Sequence, residues 1–392
     1  MTTWDWIVIG AGLAGSALSY ELAKAGFSVL LLEKAAVPQN GTRFSYGGIA
    51  YWSGFNDLTR QLCQESIALH RQLSAELESD TQFQERHLLL TIDPDSDPET
   101  TAAEYSHLSI PPALLSPDAA KAAEPLLNAE AIAAALLLPH GHVSPTATVK
   151  AYNQAFERLG GKRVIAEVKD FLWQGDRILG VVTSTATYEA ANVSVCAGGL
   201  SRALLKAAGL SAPVYFTQAE IIETPPVEIR LQTIVMPAAL KRFAMEAEAG
   251  KTDALWDDLD REVVPPVLDI GAVQFQDGSL RIGQVSRTLT DPTAVADASQ
   301  SQAELRSAIA KILPALESLP GQWCSCLVSF SSDRLPVVGA LPQFEGLHLF
   351  AGFSNPFALL PPSARRFAQF AMGKPDELIE ALSPQRFWSL HS

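Results

Sequence analysis

Three glycines set between an apolar run and a helical stretch constrain how this chain begins. Asp5-Trp6-Ile7-Val8-Ile9 reads as a buried strand, and Gly10-Ala11-Gly12-Leu13-Ala14-Gly15 as the turn leading into an amphipathic helix. A second apolar strand, Ser28-Val29-Leu30-Leu31-Leu32, ends on Glu33. Gly10 permits the tight turn, Gly12 lets backbone approach a pyrophosphate, and Gly15 lets the helix lie close to the sheet. The helix N-terminus offers free amides and a positive dipole end to the anion. Glu33, 23 residues after Gly10, stands where a carboxylate accepts the ribose hydroxyls of an adenine dinucleotide. Gly10, Gly12, Leu13, Ala14, Gly15, Glu33 and Lys34 are therefore the first candidate cofactor contacts.

The 392 residues suffice for two domains and a sizeable core, with 47% hydrophobic and 18% charged residues in an ordinary globular balance. A net charge of −14 argues against a general nucleic-acid binder. The first apolar run has an acidic flank at Asp5, unlike a signal peptide, and no apolar stretch reaches membrane-spanning length. Cys63, Cys196, Cys324 and Cys326 suggest no disulfide framework, which fits a reducing, cytoplasmic setting.

Further along, Gly41 to Ile49 is rich in glycine and hydroxyls, and suits either a loop over a cofactor or a surface turn. Thr42, Arg43, Ser45, Gly47 and Gly48 are its candidate contacts. Leucines at 58, 62, 69, 73 and 77 predict a helix over 57–77. His140 and His142 flank a glycine without further metal ligands, and read as loop residues with no metal site. A helix is expected from Thr146, a strand over 163–168, and a buried strand Asn192–Cys196 running into Ala197-Gly198-Gly199. Strands are expected at 215–222 and 279–285, around an acidic helical insert near 238–262. Ser301-Gln302-Ala303-Glu304 reads as a capping box opening a helix. The last 70 residues return to an α/β pattern, with a final helix from about Pro362.

The whole chain resembles the superfamily of D-amino-acid oxidase, glycine oxidase and sarcosine oxidase, which are FAD-dependent oxidoreductases. The resemblance is carried by the N-terminal fingerprint ending at Glu33, by Val168, and by Cys196-Ala197-Gly198-Gly199. It is completed by Asp333-Arg334-Leu335-Pro336-Val337-Val338-Gly339 and by Gly352 followed by Pro362. It implies an α/β fold: a Rossmann-like FAD-binding domain (1–80, 141–212 and 324–392) interleaved with a smaller antiparallel-sheet α+β substrate domain (81–140 and 213–323). It further implies FAD contacts at Val168, Ala197, Gly198, Gly339, Gly352, Ser354, Asn355, Pro356 and Phe357. The dipole of the final helix would stabilise the reduced flavin. The flavin would perform the hard step, so no dedicated catalytic base or triad is expected.

The pattern breaks in one place. Relatives resembling glycine oxidase clamp the substrate carboxylate with arginines, at positions that here hold Val328 and Asn355. Arg281 could substitute, although it reads first as an exposed strand-face cation. Arg43 has the same standing, with a cofactor-phosphate role as a third option. Tyr46, Tyr51 and Trp52 could form an aromatic wall or plain core, and Tyr46, Tyr51, Arg281 and Asn355 are the substrate-pocket candidates. Cys326, seven residues before Asp333, resembles the cysteine that carries covalent FAD in monomeric sarcosine oxidases, and reads otherwise as a small core residue.

The resulting expectation is an FAD-dependent oxidation of a C–N bond in an amine or a secondary or modified amino acid. An imine would form and hydrolyse, and O2 or another acceptor would take the electrons. The alternatives are oxidation of a tRNA wobble-uridine side chain, hydroxy-acid oxidation, and a flavin-binding protein without turnover. No membrane span and no nucleic-acid partner are expected.

Overall fold

A computed structural model describes residues 3–388. Its first sheet is built on the opening strand, Thr3–Ile9, which pairs in parallel with Val29–Glu33 and with Thr187–Val195. Lys162–Ile165 extends the parallel set on one side and Leu347–Ala351 on the other. Val337–Ala340 adds an antiparallel edge, and the hairpin Val168–Gln174/Arg177–Thr183 joins through Thr187–Val195. Covered on both faces, a parallel strand reads as an unbroken apolar run. Val29 to Leu32 are all at most 1% exposed.

The helices Leu13–Lys24, Asp57–Glu76, Pro145–Arg158 and Pro356–Ala371 cover one face, with Leu18, Leu22, Tyr152, Phe156 and Phe357 in the core beneath them. The second sheet runs in the order Gln322–Ser331, Val214–Glu223, Leu280–Arg287, Val267–Gln274, Ile234–Pro237, Gln84–Ile92, Ala134–His142, Gly48–Ile49. It is antiparallel except where Ile234–Pro237 lies parallel to Gln84–Ile92. Gly48–Ile49 and Gln322–Ser331 bond into this second sheet, so the chain crosses between sheets at both places. We propose that the two sheets mark two interleaved domains.

Several local expectations are corrected. The helix Ala298–Ile312 starts before Ser301. Asp297 caps it by accepting from the Ser299 and Gln300 amides, and Ser301 lies inside the helix, fully buried. Ser144 caps the helix that begins at Pro145, where a proline lacks only an amide that would have no partner. The expected strand over 163–168 ends at Ile165, and the next begins at Val168.

The final long helix starts at Pro356, and Pro361 and Pro362 sit within it. Pro361 has no N–H to give the carbonyl of Phe357. That carbonyl instead accepts from Ser66 Oγ at 2.8 Å and from His70 Nε2 at 2.9 Å, so the neighbouring helix supplies the missing donors.

His140 and His142 are not loop residues. They end the strand Ala134–His142, with 6% and 2% exposure. Trp52 Nε1 donates to His140 Nδ1 at 3.0 Å, and His142 Nε2 donates to the Tyr46 carbonyl at 2.9 Å. Among the described residues no cluster of three potential metal ligands exists.

Burial lowers the imidazole pKa to about 4 in His70 and His348 and to about 3 in His140 and His142. The unfolded chain therefore binds more protons than the folded one as pH falls from about 6.5 to about 4, and stability is lost on acidification through that window. At pH 5 each ring contributes a loss of up to about 2 kcal/mol. Glu21, Glu246 and Asp269, whose carboxyls burial raises, work the other way. We expect urea unfolding to show a less stable protein at pH 5 than at pH 7, with four neutral imidazoles in the nitrogen NMR spectrum at pH 5. Charged rings at those four positions would contradict this account.

Candidate active site

A single large cavity of about 1360 Å³ runs from the glycine turn to the wall of the second sheet. At its first end, the fingerprint packs as its glycines demand. Gly10 has φ +101°, and a Cβ there would stand 2.7 Å from the Cys196 carbonyl oxygen. A Cβ on Gly15 would stand 1.8 Å from the Gly10 carbonyl oxygen, so this glycine serves helix-to-strand contact and does not line the cavity. Gly12 caps the helix and faces the cavity, where a Cβ would come 3.2 Å from Thr42 Oγ1. The same hydroxyl accepts from the Leu13 amide at 3.0 Å, which places Thr42 at the positive end of the helix. Glu33 is buried at the end of its strand, and its carboxylate accepts from the amides of Ala11 (2.8 Å) and Ala35 (3.1 Å).

The cavity wall continues through Leu13, Ala14, Lys34, Ser45, Gly48, Val168, Ala197 and Gly198. It reaches Cys326 and the run Ser354-Asn355-Pro356-Phe357 at the N-terminus of the final helix. Asn355 Nδ2 donates to Ser53 Oγ at 3.0 Å, tying that loop to the segment after the second-sheet edge strand. Cys326 is 9% exposed, and burial pushes its thiol up to about 12. The Tyr46 hydroxyl is buried on the wall without a hydrogen-bond partner among the described residues.

Other candidates fall outside the cavity. Arg43 turns away and forms a two-pronged ion pair with Glu223, at 2.5 and 2.8 Å. Arg281 is not an exposed cation. It is 5% exposed, donates to the Ser45 carbonyl and reaches Glu223 at 3.4 Å, behind the cavity wall. Tyr51 packs against the first-sheet core. Gly47 and Gly352 adopt positive φ next to residues of the cavity wall, whereas Gly339, also at positive φ, lies within the edge strand Val337–Ala340 against Ser383 and Pro384 and not on the wall.

Sequence reasoning missed Lys241, Arg242, Asp269 and Arg334 on the wall. Asp269 caps the helix Lys241–Ala249 by accepting from the Lys241 amide (3.0 Å) and the Arg242 amide (2.9 Å). No local motif signals this, because the cap comes from a strand 27 or 28 residues away. Trp52, Leu88, Leu90, Tyr105, Ile234 and Met236 make the opposite region of the wall apolar.

A family model described as FAD dependent oxidoreductase (DAO) matches residues 5–370. Glycine oxidase of Pseudomonas aeruginosa is 27% identical over 381 residues, covering 94% of each chain. Human peroxisomal sarcosine oxidase is 24% identical, covering 94% of this chain and 92% of its own. Among solved structures, L-proline dehydrogenase from P. horikoshii superposes with a TM-score of 0.79 at 20% identity, over 99% of this chain and 98% of its own.

The two fingerprint glycines predict different outcomes. Gly15→Ala forces helix and strand apart and should cost several kcal/mol, roughly the scale of an overpacked core. Gly12→Ala should leave the melting temperature within a few degrees while narrowing the cavity. Thermal melts of the two variants compare the effects, and equal losses would contradict the distinct roles.

Proposed function

Because the chain belongs to the DAO family of FAD-dependent oxidoreductases, we propose that it oxidises the C–N bond of an amine or amino acid, giving an imine that water hydrolyses. One observation carries this reading. The cavity that begins at a dinucleotide turn is continuous with a largely apolar region against the second sheet, large enough for a small organic substrate. FAD is the cofactor, and when bound it supplies the acceptor for the hydride leaving the substrate carbon.

The residues present fit that cofactor. Gly12 leaves open a space that a side chain would narrow, beside the helix end where a pyrophosphate is favoured. Leu13, Ala14 and Thr42 would contact the phosphates, and Glu33 would take the ribose. Val168, Ala197 and Gly198 would flank the adenosine half, with Gly198 at φ +56° allowing close backbone approach. Ser354 to Phe357 would meet the ring system, where the positive end of the final helix favours negative charge. The Tyr46 hydroxyl, which has no hydrogen-bond partner among the described residues, is placed to hydrogen-bond a ligand in the chamber. Trp52, Tyr105 and their aliphatic neighbours give it an apolar wall.

The test is the visible spectrum of the purified holoprotein, mixed anaerobically with amines, amino acids and hydroxy acids. Bleaching by amines or amino acids is the expected result. Bleaching by hydroxy acids alone would move the reaction to C–O bonds, and no bleaching would remove it. Cys326 is proposed as the site of covalent attachment, since it lies on the cavity wall. Acid precipitation should then leave the yellow colour in the pellet, and its release into the supernatant would exclude the linkage.

A further inference from the structure

The cavity holds two arginines on one aromatic ring. Arg334 lies on the turn after the strand Gln322–Ser331, and its guanidinium carbon sits 5.3 Å from the Phe55 ring centroid and 5.2 Å from that of Phe243. The Arg242 guanidinium carbon is 4.8 Å from the same Phe243 ring. Arg334 has φ +65°, a left-handed conformation that glycine takes easily and a side-chain residue takes at a cost. Its guanidinium forms no ion pair and no hydrogen bond among the described residues.

Aromatic rings brace a guanidinium by their π faces. They leave its N–H donors unused, and those donors match a carboxylate two at a time. Nearby carboxylates leave those of Arg334 unused and engage Arg242 on one side only. Asp269 is committed to the Lys241 and Arg242 amides. Buried Glu246 faces Arg242 at 3.4 Å and accepts from Thr217 at 2.9 Å. Arg242 also donates to the Ser354 carbonyl at 3.3 Å, so this pair adjoins the loop that opens the final helix. Val328, on the same wall, offers no charge.

We propose that Arg334 and Arg242, braced by Phe55 and Phe243, hold the carboxylate of the substrate. The substrate is then an amino acid whose remaining part is bulky and apolar, matched to the Trp52, Tyr105 and Met236 side of the chamber. This rests on the amine-oxidation reading for the reaction but not for the anion site itself.

Phenylacetate and its neutral counterpart phenylacetamide probe the site by titration of the holoprotein, followed by the flavin difference spectrum and independently by calorimetry. Phenylacetate should bind at least tenfold more tightly at low ionic strength, with an advantage that shrinks as salt is added. Arg334→Gly should reduce this preference severalfold without lowering the melting temperature, because glycine suits the φ found there. Arg242→Met combined with Glu246→Gln should reduce it further without stranding a buried charge. A wild-type protein with no preference, or variants that keep the full preference, would overturn the proposal. Running the amine panel beside this titration separates the two readings. Bleaching without a carboxylate preference removes the anion site alone, whereas an arginine-dependent preference without bleaching supports the anion site and removes amine oxidation.

Discussion

The contact on which the cavity depends is the approach of the first helix to the first strand at Gly15 and Gly10. A single added carbon at Gly15 would fall 1.8 Å from a backbone oxygen, so the spacing tolerates no side chain there. The spacing aims the helix N-terminus along the strand end, toward Thr42 and the opening at Gly12. Glu33 reinforces the aim from the neighbouring strand, since its carboxylate accepts the Ala11 amide within the turn itself. A buried carboxylate held by two amides is a charge with satisfied partners, and it is placed at the strand end before any ligand arrives.

The other end of the cavity is fixed by a different device. Pro361 leaves the Phe357 carbonyl without its helical donor, and an unsatisfied buried carbonyl costs about 1–3 kcal/mol. Ser66 and His70 fill the deficit from the helix Asp57–Glu76. The first turn of the final helix, which forms part of the cavity wall, is thereby bonded to an element packed on the first sheet. Because His70 Nε2 must donate there, its ring carries the proton on that nitrogen, and burial keeps it neutral.

Much of this was legible in the sequence wherever function depends on local spacing. The fingerprint, the strand ending at Glu33, Ala197-Gly198 and the Ser354–Phe357 loop all come to one cavity. Contacts from distant segments were not legible. His140 and His142 flank a glycine, as loop residues often do. Pairing with Gln84–Ile92 makes them a strand end, and Trp52 and the Tyr46 carbonyl supply their partners. Arg281 reads as exposed on its own strand, and it is Glu223, the Ser45 carbonyl and the Phe275 ring, from other elements, that make its burial tolerable. The capping box at Ser301 lost to Asp297, because a carboxylate one turn earlier satisfied two amides and left Ser301 in the helix. A proline pair reads as a helix start, yet the final helix begins at Pro356 because side chains elsewhere supply what Pro361 withholds.

A net charge of −14, taken as a uniform field, opposes an anionic substrate. Net charge is a weak guide at this range. At physiological ionic strength the screening length is about 8 Å, so surface carboxylates on remote faces contribute little inside the cavity. What a ligand meets is the local set: Arg334 and Arg242 on the Phe243 ring, with Lys241 beside them and Asp269 already bonded to backbone amides. Walls of Trp52, Leu88, Leu90 and Ile234 lower the local dielectric and strengthen attraction to whichever charge remains unpaired. The Arg334 guanidinium has no ion-pair partner among the described residues, so a chain with a net negative charge still offers a cation on this part of the cavity wall.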